Sequence, residues 1–237
     1  RDFRPMPQAH KHKFTSVILA AGQGTRMRSN MPKVMHKLAG EPLISHVLKS
    51  AAPLNPEKTV LVVAPHMDTV RELATRASAS IAHQDAQNGT GHAVKCAMPQ
   101  LQGYEGIVLV LYGDTPMITT ETLAALLQKH ESEKATISLL GMQPHPPTGY
   151  GRLVMRQEPY VERIVECKDA NEEQKKITWV WAGVIAFDAV FLRESLEALT
   201  PSPVTGEYYL TTLIEMATAK GLKTVMQPVS VTEAMGI

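Results

Sequence analysis

The feature that most constrains this chain is an alternation of short, predominantly apolar runs with longer amphipathic segments. Thr15–Ala20 (TSVILA), Thr59–Ala64 (TVLVVA) and Gly106–Tyr112 (GIVLVLY) have no polar alternation, the pattern of strands buried on both faces. Between them, Leu43–Ala51, Met67–Ala77 and Gly91–Met98 carry helical periodicity. Strands separated by helices at this spacing predict a parallel sheet with right-handed crossovers. Another strand, Ala135–Met142, follows a helix near Glu121–Lys129 for which Thr119 or Thr120 supplies the N-cap.

After residue 144 the texture changes. PHPPTGYG is a turn cluster, and Arg152–Met155, Arg163–Val165 and Trp179–Phe187 read as antiparallel-type strands. Helices are expected near Asp188–Ala198 and Thr211–Lys220, the second closed by Gly221, with Lys223–Val229 as a last strand. The expected organisation is a leader over 1–14 and one domain over 15–237. Its first part covers about 15–143, and a second part over about 144–237 supplies a lobe above the C-terminal edge of the sheet.

Charge narrows the possible partners. The 24 Lys and Arg nearly balance 23 Asp and Glu. Residues 1–13 hold a net +3, so the remainder is mildly acidic and has no basic block of the kind nucleic acid requires. No apolar stretch approaches the ~18 residues of a membrane span. Cys96 and Cys167 stand far apart without metal-ligand spacing, which, with no secretory signal, predicts a reducing, cytoplasmic setting.

The chemistry gathers at strand ends. After the first strand comes Leu19-Ala20-Ala21-Gly22-Gln23-Gly24-Thr25-Arg26-Met27, then Pro32-Lys33. Gly22 and Gly24 let backbone N–H groups approach an anion, while Arg26 and Lys33 add charge. A dinucleotide fingerprint fails because Met27 replaces its third glycine, and a Walker loop fails because Gly-Lys-Ser/Thr is missing. Tyr112-Gly113-Asp114 ends another strand, where open α/β sheets bind ligands and where a carboxylate suits Mg²⁺ with substrate phosphates. Gln84 carries both a donor and an acceptor, as reading a base edge requires.

LAAGxGTRM…PKV resembles the signature of sugar-1-phosphate nucleotidyltransferases. Gln84 with NGTGHA (88–93), YGD (112–114), TGYGR (148–152), IVECKDA (164–170) and GEYY (206–209) narrow the resemblance. In that order they are similar to the pyrophosphorylase domain of bacterial N-acetylglucosamine-1-phosphate uridyltransferases. The resemblance implies an α/β fold with a Rossmann-like, mostly parallel sheet of the nucleotide-diphospho-sugar transferase type and an inserted sugar-binding lobe. It implies Mg²⁺-dependent uridylyl transfer from UTP to N-acetylglucosamine-1-phosphate, a step toward cell-envelope precursors. A different sugar phosphate or nucleotide, and a catalytically impaired nucleotide-binding homologue, remain alternatives.

Carried onto this sequence, the resemblance makes Arg26, Lys33 and Asp114 catalytic, with Asp114 also the metal ligand. Leu19, Ala20, Ala21, Gly22, Gly24, Gln84, Gly89 and Thr90 hold the nucleotide. Tyr112, Gly113, Gly151, Glu166 and Trp181 face the sugar phosphate. Trp181 and Ala182 stand where the family carries Asn and a hydroxyl residue, and Thr212 where Asp is common. The family's second metal-binding Asn would follow Ile237, so an incomplete Mg²⁺ site is expected within these residues. The hexapeptide repeat of the acetyltransferase domain is not among them, so acetyl transfer is not assigned here and an oligomer is not inferred.

Overall fold

The structure, a computed structural model, describes residues 12–22, 31–147 and 149–235. The first apolar run forms β1 (Phe14–Leu19). A small hairpin, β2 (Lys37–Leu38) and β3 (Glu41–Pro42), leads into α1 (Leu43–Ala51). Then follow β4 (Thr59–Val63), α2 (Asp68–Arg76), β5 (Ser80–His83), α3 (Thr90–Ala97), β6 (Ile107–Tyr112), α4 (Thr120–Ser132) and β7 (Ile137–Met142). The later part comprises β8 (Arg152–Gln157), β9 (Tyr160–Val165), α5 (Glu172–Lys175), β10 (Val180–Asp188), α6 (Ala189–Ala198), α7 (Thr212–Ala219), β11 (Thr224–Pro228) and α8 (Val231–Ala234).

Among the described residues one sheet has the strand order β5-β4-β1-β6-β10-β7-β11-β9-β8. β5, β4, β1 and β6 are mutually parallel. β10 runs antiparallel between β6 and β7, and β11 is parallel to β7. The later part is thus joined to the first through the sheet itself, with β9 and β8 as its far edge. The sequence pattern shows the later strands as antiparallel but carries no sign that one of them enters the middle of the sheet.

Strand alternation sorts the apolar side chains into two cores, one on each face. Val17, Val60, Val62, Val108 and Val110 pack against α3, α6 and α7. Phe14, Ile18, Leu61, Leu109 and Leu111 pack against α1, α2 and α4. Covering both faces explains why the central strands read as nearly continuous apolar runs. The N-cap of α4 is Thr119, whose hydroxyl accepts the Thr122 N–H at 3.2 Å. α7 stops at Lys220, and Gly221 beyond it takes a left-handed conformation.

The sequence reading missed β5. It has four residues, pairs with β4 alone in the main sheet, and includes Ser80 and His83, so it lacks an apolar-run signal. The two-residue hairpin strands and the one-turn helices α5 and α8 are too short to produce a period.

Candidate active site

β1 and β6 lie side by side, with Leu19 paired to Tyr112, so the two motif-bearing loops leave the sheet at adjacent points. The Gly113 N–H donates to the Leu19 carbonyl at 2.9 Å. A Cβ on Gly113 would stand 2.9 Å from Val34 Cγ1. Absence of a side chain there lets the short 3-10 turn Lys33–Met35 close against the strand ends. That turn brings Lys33 Nζ to 2.7 Å from Asp114 Oδ2. Both side chains are a little over a quarter exposed (29% and 27%), so the pair contributes at most about 1 kcal/mol to folding. Its consequence is a fixed cation and a fixed carboxylate at the mouth of a cleft.

The cleft has a volume of about 310 Å³. Leu19, Ala21, Gly22, Lys33, Gln84, Gly89, Thr90, Tyr112 and Asp114 line it. These residues, up to 95 positions apart in sequence, meet because β1, β5 and β6 all end on this side and α3 begins there. Ala20 points the other way, into the α1–α2–α4 core. Gly24 and Arg26 lie outside the described residues.

Gly89 shapes the wall opposite the pair. It adopts φ 103°, ψ 175°, a conformation open essentially to glycine alone, and caps α3. A Cβ there would sit 2.6 Å from the Tyr208 carbonyl oxygen. Tyr208 is stitched to this loop by its own N–H to the Asn88 carbonyl (2.8 Å) and by the Gly91 N–H to its carbonyl (2.7 Å). Leu210 N–H donates to Thr90 Oγ1 at 3.0 Å. The NGTGH and GEYY motifs, over 100 residues apart, therefore form one wall.

The remaining residues that the sequence resemblance assigns to the sugar phosphate gather beside the cleft. Trp181 N–H donates to the Gly151 carbonyl at 2.9 Å, and its indole meets the Tyr112 ring edge-on at 5.6 Å. A Cβ on Gly151 would come within 2.7 Å of Ile164 Cγ2 and 3.5 Å of a Glu166 carboxylate oxygen. Glu166 accepts the Thr211 hydroxyl at 2.7 Å and faces a second cavity of about 330 Å³ with Asp169, Tyr209, Thr211 and Glu215. Burial pushes its carboxyl above the usual range, and neighbouring Asp169 and Glu207 push the same way. Burial likewise raises the Tyr112 phenol, with the Glu166 charge next in size. Tyr112 thus lines the first cleft while packing on Trp181 and sensing Glu166. The indole Nε1–H of Trp181 has no partner among the described residues.

Sequence reasoning missed Gln87, Val34, Ala93 and Glu207, which also line the first cleft. Gln87 Nε2 donates to the Ala21 carbonyl at 2.6 Å and so holds the end of the β1 loop. Its place in QDAQN, three residues after Gln84, was the available signal, but a polar loop residue has no period to betray an inward orientation.

The profile of the MobA-like NTP transferase domain matches residues 16–178. The chain belongs to this family. It is a nucleotidyltransferase domain with the corresponding mixed α/β sheet. It is similar to proteins described as bifunctional protein GlmU: 44% identical over 211 residues in Corynebacterium efficiens (86% of this chain, 43% of that protein). The Paracoccus denitrificans protein is 45% identical over 223 residues (93% and 49%). The Geobacillus thermodenitrificans protein is 44% identical over 226 (95% and 49%). The chain spans about half the length of these relatives. A UDP-glucose pyrophosphorylase solved with UDP-glucose superposes with a TM-score of 0.74 at 17% identity, covering 92% of this chain and 90% of that one, a likeness of fold alone.

Proposed function

We propose that this domain transfers a uridylyl group from UTP to N-acetylglucosamine-1-phosphate, releasing pyrophosphate and giving UDP-N-acetylglucosamine. The observation that carries the reading is the Lys33–Asp114 pair at the joined ends of β1 and β6, facing a cleft that also holds Gln84, Gly89 and Thr90. The likeness to GlmU proteins supports it over most of the chain.

The attacking atom is a phosphate oxygen, largely ionised at neutral pH because its second pKa is about 6. No protein base is needed to create the nucleophile. An oxygen of the sugar phosphate bonds to the α-phosphorus while the bond to the β-phosphate oxygen breaks, and pyrophosphate leaves with that electron pair. The protein's work is alignment and neutralisation of charge. Lys33 presents a preset ammonium to the triphosphate, and Arg26 is assigned the same task. Gln84, Gly89, Thr90 and the Leu19–Gly22 backbone seat the nucleoside. Gly151 offers close backbone access, and Glu166, Tyr112 and Trp181 form the side toward the sugar.

The donor chemistry fits Mg²⁺, which keeps most of its waters and takes one or two carboxylates besides substrate phosphates. Asp114 offers one partly exposed carboxylate, and no cluster of three or more His, Cys, Asp or Glu gathers among the described residues. Asp114 would hold the ion, which when bound supplies charge neutralisation of the reacting phosphates. No described helix is long and apolar enough to cross a membrane, and a cytoplasmic setting is proposed with this reading.

Pyrophosphate release from UTP, with Mg²⁺ and a panel of sugar phosphates, tests the proposal. N-acetylglucosamine-1-phosphate should be turned over fastest. Turnover restricted to another sugar phosphate, or UTP binding without pyrophosphate release, would overturn it.

A further inference from the structure

Gln84 is only 4% exposed and follows directly on β5, with its amide at the wall of the nucleotide-side cleft. Its Nε2 lies 3.1 Å from the Gly89 carbonyl oxygen and 3.2 Å from His92 Nδ1. A carbonyl can only accept, so the atom facing Gly89 is the amide NH₂. The same NH₂ faces His92 Nδ1, which therefore accepts, and the neutral ring carries its proton on Nε2. That Nε2 points to Cys96 Sγ at 3.9 Å, a weak acceptor. The hydrogen-bond chain has one self-consistent direction, from the Gln84 amide to Gly89 and His92 and from His92 to Cys96.

Both amide hydrogens are thereby used within the protein. Oε1 has no partner among the described residues and is not among their buried, unpartnered atoms, so it is left to meet a ligand. His92 itself does not line the cleft. It belongs to a separate cavity of about 600 Å³ behind α3, with Asn88, Cys96, Leu199 and Tyr208. An oriented acceptor complements a base that presents N–H, such as the imide of uracil. It opposes a lone pair, such as the ring N3 of cytosine.

We propose that His92 is a positioning residue that holds Gln84 as a one-way acceptor and thereby sets the preference for a uracil over a cytosine nucleotide. The inference rests on the uridylyltransferase reading and deepens it. Without His92, one amide hydrogen loses its partner and the flipped amide is opposed only by Gly89.

The test uses two variants of matched shape. His92→Asn keeps an acceptor oxygen near the Nδ1 position, and His92→Leu removes it. UTP and CTP affinities by calorimetry, and KM and kcat for each, are the readouts. His92→Leu should raise the UTP KM about five- to tenfold, the loss of about one hydrogen bond, with kcat little changed. Its UTP-to-CTP ratio should fall by a similar factor, while His92→Asn stays within about twofold of the parent. If His92→Leu does not fold, His92→Gln replaces it, because its longer amide reaches the Nε2 position and leaves Nδ1 unfilled. An unchanged ratio in the variant without the acceptor, or equal loss in it and in His92→Asn, overturns the role of His92 alone. A parent protein that neither binds nor turns over UTP overturns the uridylyltransferase reading and this inference with it.

Discussion

Gly89→Ala isolates the wall built from two distant motifs. At φ 103°, ψ 175° a non-glycine residue is strained by about 1–3 kcal/mol. The added methyl would also stand 2.6 Å from the Tyr208 oxygen and 2.8 Å from its nitrogen, both backbone atoms. They cannot swing aside as a side chain would, because Tyr208 is tied to Asn88 and Gly91 by bonds of 2.8 and 2.7 Å. Loosening those two adds about 0.5–1.5 kcal/mol each, for a total of about 2–6 kcal/mol. For a chain of this size that lowers Tm by roughly 10 °C. The Gly89 carbonyl also anchors the Gln84 amide, so the UTP KM should rise in the same variant. Gly40→Ala is the control: φ is 88°, but nothing lies within 4 Å of the new Cβ, so it should carry only the strain of roughly 1–2 kcal/mol. Differential scanning calorimetry and a pyrophosphate-release assay provide both readouts. A Gly89→Ala protein that melts no lower than Gly40→Ala, with unchanged UTP KM, would refute the reasoning.

Three further outcomes follow from single side chains. His130 is buried against Ser138 (2.9 Å), and burial pushes its pKa from 6.5 down to about 4. The unfolded chain takes up that proton first, so stability present above pH 6.5 falls as pH drops toward 4, by about 3 kcal/mol. His130→Gln should flatten this part of a denaturation-versus-pH curve, and an unchanged slope would count against it. Glu166 shifts the opposite way: its raised carboxyl favours protonation in the folded state, so its contribution declines as pH climbs above 4.5 toward the folded value. Glu166→Gln should therefore gain stability relative to the parent over that window, while losing affinity for the sugar phosphate; a constant difference in Tm would contradict the burial argument. Lys33→Met should reduce kcat at least about a hundredfold, by removing a preset positive charge at developing negative charge, with Tm moved by no more than about 2–4 °C. Near-normal turnover would remove Lys33 from the catalytic set.

The sequence alone determined the strands that the two cores cover, because a strand buried on both faces is apolar at most positions, with only small hydroxyl residues such as Ser16 and Ser138 buried among them. Hence β1, β4, β6 and β7 stand out, with the amphipathic helices between them, the Thr119 cap of α4 and, later in the chain, the Gly221 stop after α7. It also pointed to the strand ends that line the candidate cleft, since Gly22, Gly113 and Asp114 break apolar runs with small or charged residues. What it could not reach is long-range. β5 was hidden because an edge strand of four residues need not be apolar. The insertion of β10 between β6 and β7, the wall that joins Gly89 to Tyr208, and the inward turn of Gln87 all depend on contacts between distant segments. Local propensity does not encode which strand will be a neighbour; the packing of both faces of the sheet decides it. The direction of the Gln84 amide likewise became fixed only when folding brought the Gly89 carbonyl and the His92 ring to the same nitrogen.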